Sequence, residues 1–516
     1  MKIIKSLFIS ALALTLASCA NDEVIENFSG DTTSKEQSVA GTIFTTGEDV
    51  LKTRTSMETD LASYLNYFWE ATDKISVKNG ASWVASGNAT LKDSKGRRAD
   101  FVFAGSPLAA PEYMVYYTGN GSNNEVSIPA EQIQAEAGSH SHFGMSGDCG
   151  VAKAVKGADG HYHFTLHHKA AIVAFTPYST LNLATTVKVR SITFKATEAS
   201  NGTFTLPDTE EGALAVKNAG TTTTKVTVTS GAPFPNAKGV TNAVYMVLKP
   251  GNYTNVEITY NISDSGNEFG SEVSTSFVKK YPSLTISSNQ VLPAELKVDE
   301  SAITTTPYDY YYWGAQVRYP IGTPGSEIHE DSPAYWSNAT TCPPGTATAA
   351  CPNINELRWY VEKGDIHWDD AKLWCMHGHL YKGGIWIKKQ QVIATENSAT
   401  TGGSVAYLKT KAPNGVDYET NVENAGSIIS SVPNVATQPL TNADDYFFLP
   451  AAGEVEPDWK PGELIINNGS WYLCSTANNT MTSVNEGAVA LRIEPTLIEI
   501  NTIIYRSCVY KAWTAQ

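Results

Sequence analysis

The sequence predicts a mainly β protein: two tandem β-sandwiches followed by an α+β domain. Three observations carry this. Charged residues make up 17% of the 516-residue chain, below the ~25% of ordinary globular proteins, and Gly, Tyr and Thr are plentiful, a balance that favours strands over long helices. Short segments of alternating polarity, punctuated by Gly, Asn, Asp and Pro, recur through the first 300 residues, as sandwiches require. Composition then changes sharply, with nine of eleven Trp and five of seven Cys after Tyr308. At ~100–200 residues per domain the length accommodates about three domains. The net charge of -15 argues against the basic face of a nucleic-acid binder.

Residues 1–19 read as a secretory signal. Lys2 and Lys5 supply the positive end, residues 3–16 the apolar stretch, and Leu16-Ala17-Ser18-Cys19 the cleavage region, too short for a spanning helix. The last four residues resemble the lipobox of bacterial lipoproteins. That resemblance implies acylation of Cys19, with the chains anchoring the protein in the outer membrane. Asn21-Asp22-Glu23 resembles the surface-export signal of Bacteroidetes lipoproteins. Residues 20–54, polar and poor in apolar side chains, read as a flexible linker or propeptide.

Segments 74–78, 99–103 and 113–117 alternate as strands of a first sandwich, residues 55–180. Segments 186–194, 224–228 and 255–260 do the same for a second, residues 181–300. Several phrases stand in a fixed order: Thr53-Arg54-Thr55-Ser56, Asp73-Lys74-Ile75-Ser76-Val77, Ile128-Pro129-Ala130-Glu131-Gln132, His167-His168-Lys169-Ala170-Ala171-Ile172-Val173 and Leu248-Lys249-Pro250-Gly251. Following a lipobox, this set resembles the fimbrillin family of Bacteroidales, the subunits of type V pili, over residues 19–300. The resemblance implies transthyretin-like sandwiches and other fimbrillin subunits as partners. It also implies a trypsin-like cut that frees the first strand, so that a neighbour's strand fills the groove. Arg54 is the candidate cut site, against Lys52 or a plain surface Arg.

Residues 307–516 form the Trp- and Cys-rich domain, which stalk subunits of that family lack; its presence points to a pilus tip. Asn353 and Glu356 have capping-box spacing, Ile354, Leu357 and Val361 form an apolar stripe, and Gly364 ends the helix. Strands are expected at 384–387, 445–450, 469–476, 488–493 and 506–509, and residues 395–440 as a long insertion or mobile loop. The Cys-Pro, Phe-Leu-Pro-Ala-Ala-Gly, Trp-Tyr-x-Cys and Arg-Ser-Cys-Val phrases resemble C-type-lectin-like bacterial domains. In such folds an early Cys is stapled to a terminal one, which implies Cys351–Cys508.

Sugar binding needs aromatic faces and hydroxyl-directed polar groups. Trp368, Trp374, Trp459 and Trp471 are candidates, although a Trp in such a domain is more often core. Glu456-Pro457-Asp458 resembles a calcium-lectin triplet, and its partner triplet is missing. Cys375-Met376-His377-Gly378-His379 alternates three potential ligands without a fourth. No phosphate loop, zincin or nucleophile-elbow motif occurs. The expectation is therefore a non-enzymatic surface subunit, needing no cofactor or metal and no nucleic acid. It would be a tip adhesin whose last domain takes a glycan or protein ligand, of the host or of another bacterium. The alternative is a non-polymerising surface lipoprotein that binds glycans.

Overall fold

In the structure, a computed structural model, the described residues are 41–46, 68–94, 96–105, 108–266, 272–337, 339–420, 429–435, 440–457, 463–466, 469–478, 487–504 and 509–516. Cys19, Lys52, Arg54, Asp458, Trp459 and Cys508 lie outside them.

Strands dominate, as the composition predicts. The first sandwich is a nine-stranded sheet curled around one core of aromatic and aliphatic side chains. Its chain begins earlier than expected. Residues 20–54 read as linker, yet Gly41–Thr46 (β1) is a strand, set between Ala99–Ala104 (β2) and Tyr162–Phe164 (β3). The β-prone run Thr42-Ile43-Phe44-Thr45-Thr46 carries that signal.

A three-stranded sheet joins the two sandwiches: Ala171–Tyr178 (β4) at its centre, with Val244–Leu248 (β5) antiparallel and Val291–Lys297 (β6) parallel beside it. Alternation sends side chains to opposite faces of a strand. Ala171, Val173, Phe175, Val244, Met246 and Leu248 enter the core of the second sandwich. Ile172, Ala174, Tyr245 and Val247 enter a separate core facing the first. Burial on both faces is why β4 and β5 read as nearly unbroken apolar runs. The division expected at 180/181 is therefore crossed by pairing. β4 precedes it, and so does Glu131–Gln134, which pairs in parallel with Thr223–Pro233.

In the C-terminal region, helix α1, Ile354–Lys363, has the expected capping box and ends at Gly364. It packs against a six-stranded sheet, and a five-stranded sheet completes this α+β part. The latter contains His367–Met376 (β7), His379–Lys388 (β8) and Tyr446–Pro450 (β9). Residues 395–440, expected as a loop, instead hold helical turns at Ser398–Thr401 and Val405–Thr410. Leu408 and Thr401 are buried there, so packing overrides the Gly- and Thr-rich composition.

The β7–β8 hairpin seats this part on the second sandwich. His377 and Gly378 take φ of 52° and 81°, the pair of positive values a two-residue hairpin turn demands. Gly378 packs so closely on Asn182 and Ala184 that a side chain would strike their backbone. Asp264, fully buried, accepts from His379 Nδ1 and the Leu380 amide, both at 3.0 Å. Leu373, Cys375 and Leu380 complete the second sandwich's core.

Candidate functional site

β1 is held in an unusual way. Its only buried side chain is Phe44, whose ring stacks on Tyr162 at 4.5 Å and tilts against Phe103 at 4.8 Å. The remaining attachment is polar. β1 pairs antiparallel with β2 and parallel with β3, Thr45 Oγ1 donates to Asp100 Oδ1 at 2.6 Å, and Ala99 N donates to Thr46 Oγ1 at 3.0 Å. Without β1, facing edges of β2 and β3 lose their ladders, and Phe103, Tyr113 and Tyr162 lose the ring that covers them. This is an edge-lined aromatic groove occupied by a six-residue strand, the arrangement that strand addition uses.

Of the residues expected to bind ligand, Trp368, Trp374, Trp471 and Glu456 lie within the described residues. Trp374 is fully buried, stacked on Tyr381 at 4.3 Å, with Nε1 donating to Gly383 O at 3.1 Å; it is a core residue and offers no surface for a sugar. Trp368 is half-buried on the five-stranded sheet. Trp471 is half-buried on the six-stranded sheet, stacked on Tyr510 at 5.2 Å with Arg492 5.4 Å from its ring. Glu456 follows Gly453, which bridges to Ser470 beside Trp471. Glu454 in the same segment has its carboxyl pushed up to about 7, chiefly by burial and then by Glu456, with Arg492 opposing.

A pair that sequence reading missed lies on β8 and β9. Trp386 and Phe448 are cross-strand neighbours with rings 5.2 Å apart, both half-buried. Trp386 Nε1 donates to the buried Asp369 at 2.9 Å, and Lys372 sits 5.6 Å from its ring. The signal was present: Ile385 and Ile387 point inward, so alternation turns Trp386 outward.

The alternating Cys375, His377 and His379 do not form one ligand face. Cys375 enters the core, where burial pushes its thiol up to about 11. His377 occupies the turn against Tyr308, and His379 is bonded to Asp264. Among the described residues no group of three or more His, Cys, Asp or Glu is placed to hold a metal. Cys351 is unpaired, its thiol 3.5 Å from Ala347 O, and burial pushes it up to about 12. Cys508, its expected partner, lies outside the described residues.

No protein-family model matches the chain, and no curated protein matches its sequence. Several solved structures are similar to parts of it. A candidate cell adhesion protein from Bacteroides uniformis is 13% identical over 45% of this chain and 89% of its own, with a TM-score of 0.30. One from Bacteroides ovatus is 12% identical over 44% and 83%, at 0.28. A fimbrial protein from Bacteroides ovatus is 12% identical over 91% and 98%, at 0.22. Likeness at this level carries no functional weight.

Proposed function

We propose that the protein is a cell-surface fimbrial subunit of the tip-adhesin type. It would be anchored through Cys19, released by cleavage after Arg54 and assembled by exchange of β1 for a strand of a neighbouring subunit. The observation that carries this reading is the seating of β1, a strand between two ladders with one buried anchor. Cleavage after Arg54 would leave β1 bound only by non-covalent contacts, so that a competing strand with an aromatic residue at the Phe44 position could displace it. The lipobox and the ordered fimbrillin-like phrases support the same reading from sequence.

The C-terminal part would be displayed outward, with the Trp386–Phe448 face and the Trp471 face as its ligand-facing surfaces. Mass spectrometry of the protein recovered from assembled pili tests the processing. The expected N-terminus is Thr55; an acylated, intact N-terminus in the polymer would sink the proposal. Glycan-array binding by the full chain, lost in Trp386→Ala, tests the display of a ligand surface.

A further inference from the structure

At one end of the first sandwich lies a cavity of about 490 Å³, away from the C-terminal surfaces, within the size range of small-molecule sites. Two glycines shape it. Gly119 takes a φ of 52°, and a side chain there would strike the backbone of Gly144 and Asp148. Gly144 leaves room for the Tyr117 hydroxyl. The loops around 119 and 144 can thus lie against each other and wall the cavity.

Three carboxylates line this space: the exposed Glu70, Asp73 and Asp148. Asp148 is 3% exposed. Its Oδ1 accepts from the Cys149 amide at 3.0 Å and lies 2.9 Å from His168 Nδ1. Asp73 Oδ2 accepts from the Glu70 amide at 2.8 Å, and its Oδ1 from the Tyr117 hydroxyl at 3.1 Å. Burial holds the Asp73 carboxyl above its usual range, and the nearby Glu70 and Asp148 add to this. His140, on the same wall, is pushed down by burial, so it contributes no positive charge at neutral pH. The cations that line the cavity, Lys74 and Arg97, are exposed, where solvent screens them. Phe68, Trp69 and Phe143 supply aromatic surface. The buried Asp148 and the half-buried Asp73, beside these aromatic rings, favour a cation with an apolar stem.

We infer that this cavity binds a small organic cation, with an ammonium or guanidinium head directed at Asp148 and Asp73 and an aliphatic stem against the aromatic wall. This goes beyond the assembly reading and does not depend on it.

Calorimetric titration of the full, uncleaved chain tests the inference, with n-butylammonium and n-butylguanidinium as probes and neutral 1-pentanol and galactose as controls. The expected result is saturable one-site binding of a cation, about ten-fold or more tighter than either control. Asp148→Asn should weaken it by about ten-fold or more. Because Asp148 also holds His168, Ser141→Lys provides the second variant. Ser141 is exposed at the cavity, and a lysine there supplies a competing ammonium without disturbing the core; it should cause a similar loss. Failure of both cations to bind, equal binding of pentanol or galactose, or full affinity in Ser141→Lys would overturn the assignment.

Discussion

Gln132 shows how much one side chain can decide. Its amide donates to Val247 O at 2.7 Å, and its Oε1 accepts from Val247 N at 3.0 Å, so that it closes the outer edge of β5 as another strand would. It is 2% exposed, so no water replaces it. Gln132→Ala should cost about 1–3 kcal/mol through the unmet Val247 groups, read as a lower urea midpoint. Glu454 gives a pH test of the same kind. Folded, it keeps its proton up to about 7; its ordinary value is 4.5. Folding therefore takes up a proton between these values. The stabilisation is complete below about 4.5 and is lost as pH rises through 7. The urea midpoint should fall between pH 5 and pH 8, and Glu454→Gln should flatten that slope. An equal slope in the variant would place the pH dependence elsewhere.

At the scale of elements, local chemistry was readable wherever one rule acted alone. The capping box of Asn353 and Glu356, the Gly364 stop and the alternating strands 99–104 and 112–117 needed only neighbours in sequence. Buried position was harder. Trp374 and Trp368 sit six residues apart, and only the register of β7 against β8 separates core from surface. The turns between 398 and 410 were hidden because the packing of Leu408 under α1, not propensity, holds them. β1 was masked by the polar linker around it, although it is the element on which the proposed assembly turns. Phe44→Ala should remove about 3–5 kcal/mol of its anchorage. In protein cleaved between β1 and residue 68, the variant strand should dissociate faster than the wild-type strand, followed by size-exclusion chromatography with mass detection. Equal release rates would mean that the ladders, not the ring, hold the strand.

At the scale of the whole molecule, the abrupt rise in Trp and Cys marks a boundary of composition that is not a boundary of packing. Residues 41–516 form one contact unit. Ile303–Thr305, ahead of the expected domain start at 307, pairs in parallel with Leu373, Trp374 and Cys375. Beyond that strand, Leu373, Cys375 and Leu380 complete a core whose other members all precede residue 304, and Asp264 satisfies the hairpin's His379 and Leu380. A fragment of residues 307–516 would therefore expose those three apolar side chains, leave the Leu380 amide without Asp264 and lose a sheet edge. It should bind a hydrophobic dye and melt below the C-terminal transition of the full chain. A fragment starting at 298 restores the paired strand but not the buried hairpin, and should recover only part of the difference. Asp264→Ala in the full chain isolates the polar part of the junction, with an expected loss of about 3 kcal/mol and easier proteolysis near residue 306. If the 307–516 fragment melted as the intact chain does, the junction would be a mere tether. The C-terminal part would then move freely against the second sandwich, instead of being held at a fixed angle by the seated hairpin.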